Sequence, residues 1–251
     1  MKWGELRWPE MKALDRGKTV AILPVGSMEQ HGPHLPLQVD HFIAQRFAED
    51  LEKKMPEVLL LPPIWAGVSA HHMDFPGTIT LRPRVFIDLL REICVCLHHH
   101  GLRRIVLLNG HGGNRSSLEV LSQELYADYR FSVNIIVYWD LVPELVKSLK
   151  KSQSKGMGHS GELETSLMLY LAPHLVRLSE VPAGFRSDRQ PRKKPALGEG
   201  IKRYVNIKEY SEIGVDGFPE AASKEDGERF YNAVLSALER VIRDLEKEPL
   251  G

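Results

Sequence analysis

The sequence predicts an α/β layered fold with a largely parallel central sheet. Two observations carry this. Short apolar runs alternate with longer stretches of helical periodicity, the pattern of strand–helix–strand units rather than of hairpins. The residue types able to do chemistry also cluster just after the apolar runs, where a parallel sheet places its ligands, beyond the carboxyl ends of its strands.

Taken in order, residues 19–25 (TVAILPV) read as a strand buried on both faces, because the run is continuous rather than alternating. Residues 58–61 form a second short strand, stopped by Pro62 and Pro63. Residues 84–100 carry apolar side chains at helical spacing, and Gly101 is placed to cap that helix. Residues 104–108 (RIVLL) are a strand running into NGHGGN, with a helix over 116–129 and a strand over 133–138 behind it. Helices are expected over 164–171 and 224–248, the latter with Glu, Lys and Arg on its polar side. No repeat or linker divides the 251 residues, so a single domain over 1–251 is expected. Residues 184–200, rich in basic residues and proline, read as a long surface loop and a candidate lid.

Bulk properties narrow the function classes. Lys+Arg and Asp+Glu balance at 33 each, so no net field draws the chain to nucleic acid or an anionic membrane. Small molecules and copies of the chain itself are the expected partners. The two cysteines, Cys94 and Cys96, lie two residues apart in ICVCL; a disulfide between them would be strained and close almost no loop. Both are expected to be reduced, buried thiols. The N-terminal residues lack the apolar core of a secretory signal, and no run reaches bilayer length, so a cytoplasmic location is expected.

Four segments carry the candidate chemistry. GSMEQHGPHLPLQVD (26–40) packs Glu29, His31, His34 and Asp40 into one loop whose Pro33 and Pro36 exclude a regular element. Glu29 and His31, one residue apart, share a face if the backbone is extended. Asp40 can bridge two ions with its two oxygens. NGHGGN (109–114) offers His111 within a glycine-rich turn able to approach a ligand closely; a plain strand-to-helix turn explains it equally well. GHSGELETS (158–166) offers His159, Glu162 and Glu164 at a helix start, where acids also suit the dipole. Glu162 and Glu164 cannot share one helical face, so at most one of them should touch an ion. GVSAHHMDFPG (67–77) reads as a pocket-lining loop with Ser69, His71, His72 and Asp74. His98, His99 and His100 point in different directions on a helix, and the dipole at its C-terminus accounts for them. Mixed carboxylate and imidazole donors suit zinc, manganese or iron. Two three-donor sites sharing Asp40 would leave positions open for water and substrate.

In order and spacing, these four segments and a fifth, GVDGFPEAAS (214–223), resemble the signature blocks of the creatininase (creatinine amidohydrolase) family. The resemblance spans roughly residues 20–225. It implies a three-layer α/β/α fold, two divalent metal ions per chain and a homo-oligomer, a hexamer in the family. It further implies one metal on Glu29, Asp40 and His111 and a second on His31, Asp40 and a further glutamate. Creatininase proper takes that glutamate from two positions after the histidine of the NGHGGN block, where this chain has Gly113. Other members carry one in the HxGExETS block, which matches Glu162, and His159 matches the family's proton-shuttling histidine. The lid tryptophans of creatininase proper are not matched by Trp3, Trp8, Trp65 or Trp139.

The expected function is therefore metal-dependent hydrolysis of a C–N bond in a small-molecule amide, formamide or cyclic amide, by a hydroxide bridging two metals. His159 would act as proton donor and Ser69 would orient substrate. The alternatives are a peptide-trimming metallohydrolase of cofactor maturation and a non-catalytic metal-binding relative.

Overall fold

The computed structural model describes residues 1–154, 156–189 and 203–248. Among them, four parallel strands form one sheet: β1 (Val20–Val25), β2 (Val58–Leu60), β3 (Arg104–Asn109) and β4 (Asn134–Val137), in the order β2-β1-β3-β4. β1 is central. Val20, Ala21 and Ile22 lie opposite Val58, Leu59 and Leu60 on one side, while all six β1 residues pair with Arg104 to Asn109 on the other. Pro24 sits inside this central strand without costing a ladder bond. Even-numbered β1 residues face β2, and β2 ends two residues before Pro24 would need a donor; its carbonyl instead accepts from Ile64 N–H at 2.9 Å.

Helices cover both faces. Val20 and Ile22 point into a core shared with α2 (Val39–Lys54), α6 (Glu162–Leu171) and α7 (Lys224–Lys247). Ala21, Leu23 and Val25 point into a second core packed by α3 (Pro83–His99) and α4 (Arg115–Tyr129). This is a three-layer α/β/α arrangement, and it explains why the strands read as unbroken apolar runs. Two shorter helices, α1 (Trp8–Ala13) and α5 (Pro143–Leu149), flank the layers.

On α3, Phe86, Leu90, Cys94 and Leu97 form the buried stripe. The helix closes as expected at Gly101 (φ 85°), with Gly101 N–H on His98 O (2.9 Å) and Leu102 N–H on Leu97 O (3.1 Å). His98 stacks flat on Phe131 at 4.0 Å, an aromatic contact rather than a metal site. Cys94 is buried, but Cys96 is exposed, correcting the expectation that both thiols are inside. On α7, the Ser223 hydroxyl caps the first turn by accepting from Asp226 N–H at 3.1 Å. No described helix is long and apolar enough to cross a membrane. Of the candidate lid over 184–200, residues 190–200 lie outside the described residues.

Candidate metal centre

The carboxyl ends of β1 and β3 converge with the first turns of two helices, and each brings part of one buried cluster. The loop after β1 carries Glu29 and His31, held by isolated bridges between Met28 and Ile79 and between His31 and Leu35. Asp40 is the second residue of α2. Its carboxylate thus sits at a helix N-terminus, where the dipole favours negative charge. His111 follows β3 after a single residue, Gly110. Gly110 is required there, because a Cβ at that position would lie 2.2 Å from Asp40 O.

Asp40 is the centre of the arrangement. Its Oδ1 is 3.0 Å from His31 Nε2 and its Oδ2 is 2.8 Å from His111 Nδ1. Each imidazole gives its other nitrogen to a backbone carbonyl: His31 Nδ1 to Glu29 O (3.1 Å) and His111 Nε2 to Val68 O (3.1 Å). Such outer bonds fix the orientation of each ring, and here the remaining nitrogen of each faces Asp40. Two groups of donor atoms, Glu29–Asp40–His111 and His31–Asp40–Glu164, each lie within 4.8 Å of one another and could each hold an ion. Glu29, His31 and His159 form a third such group.

Glu162, expected at the second ion, is elsewhere. Its Oε1 accepts from the N–H groups of Lys151 (2.8 Å) and Ser152 (2.7 Å), and its Oε2 from that of Phe218 (2.8 Å). It pins two loops together. Helix α6 begins at Glu162 itself, so Glu162 and Glu164 project on opposite sides. Glu164 is the one that turns inward, with Oε1 3.9 Å from His31 Nε2. Ser69 is also not where substrate would meet it. Fully buried, it hydrogen-bonds Glu29 Oε2 and lies 2.5 Å from Ser27 Oγ, bracing a candidate ligand from behind.

A family model for creatinine amidohydrolase (Creatininase) matches residues 4–242. The chain belongs to the creatininase family. It is 34% identical over 194 residues to the creatinine amidohydrolase of Pseudomonas putida, covering 71% of this chain and 74% of that one. It is 32% identical over 260 residues to the mycofactocin precursor peptide peptidase of Mycobacterium tuberculosis, covering 99% and 94%. A mutant creatininase of Zn-Zn type superposes with a TM-score of 0.81 at 30% identity, over 98% of each chain. The chain is thus a creatininase-family hydrolase with candidate metal-binding residues.

Within this creatininase fold, the electrostatics of the cluster suit cations. Burial, reinforced by the charge of Asp40, pushes Glu29 up to about 7; burial likewise pushes Glu164 up to about 7. Asp40 is held well below the usual carboxylate range: burial opposes this, but His31 and His111 outweigh it. His31 rises to about 10 and His111 to about 9; burial works against their charge, and the carboxylates around them prevail. Neither Glu29 Oε1 nor Asp40 Oδ2 has an aligned hydrogen-bond donor. Buried carboxylate oxygens without aligned donors, beside imidazole nitrogens turned inward, are a donor set that suits divalent first-row ions.

A cavity of about 260 Å³ opens onto this cluster. His159 lines it, 13% exposed, with Nδ1 3.7 Å from Glu29 Oε1. Burial, then the charge of His31, keeps the imidazole of His159 far below its ordinary range, so it is neutral. His71 and His72 both line the cavity; His72 is likewise kept neutral by burial. Sequence reasoning missed Arg115, Trp139 and Tyr210 on its walls. Arg115 pairs with Asp140 through two bonds (2.5 and 2.8 Å) and lies 5.3 Å from the Trp139 ring centre. Arg115 directly follows NGHGGN, which was the one available signal; Trp139 and Tyr210 are far away in sequence and carry no motif.

Proposed function

We propose that this chain is a dinuclear metal-dependent amidohydrolase acting on a C–N bond of a small molecule. The observation that supports it best is the divided carboxylate of Asp40, with one oxygen toward each of two carbonyl-oriented imidazoles. In this reading Glu29, Asp40 and His111 hold one divalent ion, and His31, Asp40 and Glu164 hold the other. When bound, such ions supply an activated water and polarise the scissile carbonyl. Zinc, manganese and iron all suit the donor set.

The residues around the ions do the rest. His159 is neutral and faces the cavity, so it can take a proton at the cluster and deliver it to the leaving nitrogen. Ser69 keeps the Glu29 carboxylate in place rather than touching substrate. The cavity volume suits a small amide, formamide or cyclic amide. A homo-oligomer, as a hexamer, is part of the proposal and is measured by light scattering.

A second reading, peptide trimming, is supported by the similarity to the mycofactocin peptidase over nearly the whole of both chains. The two are separated by assaying the metal-loaded protein against formamides and cyclic amides on one side and short peptides on the other. Turnover of the small amides alone supports the main reading. Turnover of peptides alone replaces it with the second.

A further inference from the structure

Gln30 stands between two candidate ligands, and its side chain reaches two histidines that the sequence leaves without defined roles toward one another. Its Oε1 accepts from Gly32 N–H at 2.9 Å, which settles the orientation of the amide. Its Nε2 then has three neighbours: Gly214 O at 3.0 Å, His72 Nδ1 at 2.8 Å and His159 Nε2 at 3.0 Å. The amide has only two hydrogens to give. Gly214 O can only accept, so it takes one. His72 Nδ1 cannot donate to an NH₂ group, so at 2.8 Å it must accept the other.

No hydrogen remains for His159 Nε2, which must therefore carry its own. A receiver is in place: the backbone carbonyl of Gln30 lies 2.8 Å from that nitrogen. The consequences run toward the cluster. With Nδ1 of His72 accepting, its proton sits on Nε2, which lies 3.3 Å from Glu29 Oε1. With Nε2 of His159 donating, its lone pair sits on Nδ1, on the side of Glu29. The 214–223 block is part of the device. Gly214 has φ 75°, and a Cβ there would lie 2.0 Å from Gln30 Oε1, so only glycine leaves room for the amide.

We infer that Gln30 is a positioning residue: through its side-chain amide and its own carbonyl it holds both His72 and His159 in the Nε2–H tautomer. His159 thereby presents Nδ1 as the atom that accepts a proton, and His72 keeps its proton on Nε2, on the Glu29 side of the ring. The use of that proton rests on the proposed hydrolase reading; the tautomers do not.

The test reads the tautomers directly. Protein labelled with ¹⁵N in histidine is examined by long-range ¹H–¹⁵N correlation, with His72→Gln and His159→Gln spectra assigning the two rings. In the wild-type chain both rings should show a protonated Nε2 and an unprotonated Nδ1. Gln30→Glu sets an acceptor against His72 Nδ1 and should move the His72 proton to that nitrogen. Gly214→Ala, which displaces the amide without removing it, should lose the single-tautomer pattern of His72. A wild-type Nδ1–H on either ring overturns the inference, as does an unchanged His72 pattern in both variants. The spectrum requires neither turnover nor metal, so a failure of the hydrolase reading leaves this result standing on its own.

Discussion

Glu164 Oε1 lies 3.9 Å from His31 Nε2, while Glu162, two residues earlier on the same helix, faces away into backbone N–H groups. The second ion therefore depends on Glu164. Glu164→Gln should lower metal content by about one ion per chain, leaving the Glu29–Asp40–His111 group able to hold the other. Glu162→Gln should leave metal content near normal and lower stability instead, by about 1–3 kcal/mol, because it weakens charge-assisted bonds to three backbone donors. Elemental analysis and urea denaturation of the two variants separate the roles; metal loss in Glu162→Gln alone would reverse the assignment.

Asp40 is shared by both candidate groups. Asp40→Asn should accordingly cost both ions, whereas His111→Ala should cost mainly one. A variant at Asp40 that keeps a full complement of metal would show that the two groups are not bridged.

Metal uptake should depend on pH in a definite direction. In the metal-free protein His31 is raised to about 10 and His111 to about 9, so both imidazoles carry protons at neutrality. An ion binds the neutral ring and must displace those protons. Affinity should rise with pH until about 9–10, and uptake at pH 7 should release protons. The stability consequence has the matching sign. A raised histidine pKa stabilises the metal-free fold fully below about 6.5, and that contribution is lost as pH climbs through about 9–10. Calorimetric titration in buffers of different ionisation heat reads the protons released. Heats that do not depend on the buffer would contradict this.

The two cysteines should differ in reactivity. Cys94 is buried, and burial pushes its thiol up to about 12; Cys96 is exposed. One thiol per native chain should react promptly with a thiol reagent and the second only after denaturation. Two equally fast thiols would mean that the α3 stripe is not packed as described.

Much of the fold was legible from pattern. The apolar runs that became β1 and β3 are buried on both faces, and the α3 stripe at Phe86, Leu90, Cys94 and Leu97 repeats at helical spacing. Helix α2 was hidden, because it starts without a side-chain cap directly behind the proline-broken loop, with Asp40 already in its first turn. Glu29, His31, Asp40 and His111 were legible as candidates because their residue types suit a metal and their segments resemble the family's blocks. The choice between Glu162 and Glu164 was not legible. It depends on where α6 starts, and a one- or two-residue ambiguity at a helix end changes which glutamate turns inward. Ser69 was misread for a related reason: a hydroxyl in a pocket-lining loop can point at the pocket or behind it, and only the contact with Glu29 decides.

The most direct test of the account is the metal content of the full chain, purified without chelators or a metal-binding tag and measured by elemental analysis. The account predicts about two first-row divalent ions per chain, falling to about one in Glu164→Gln. A chain that holds no metal as purified, and takes up none on reloading, would contradict it.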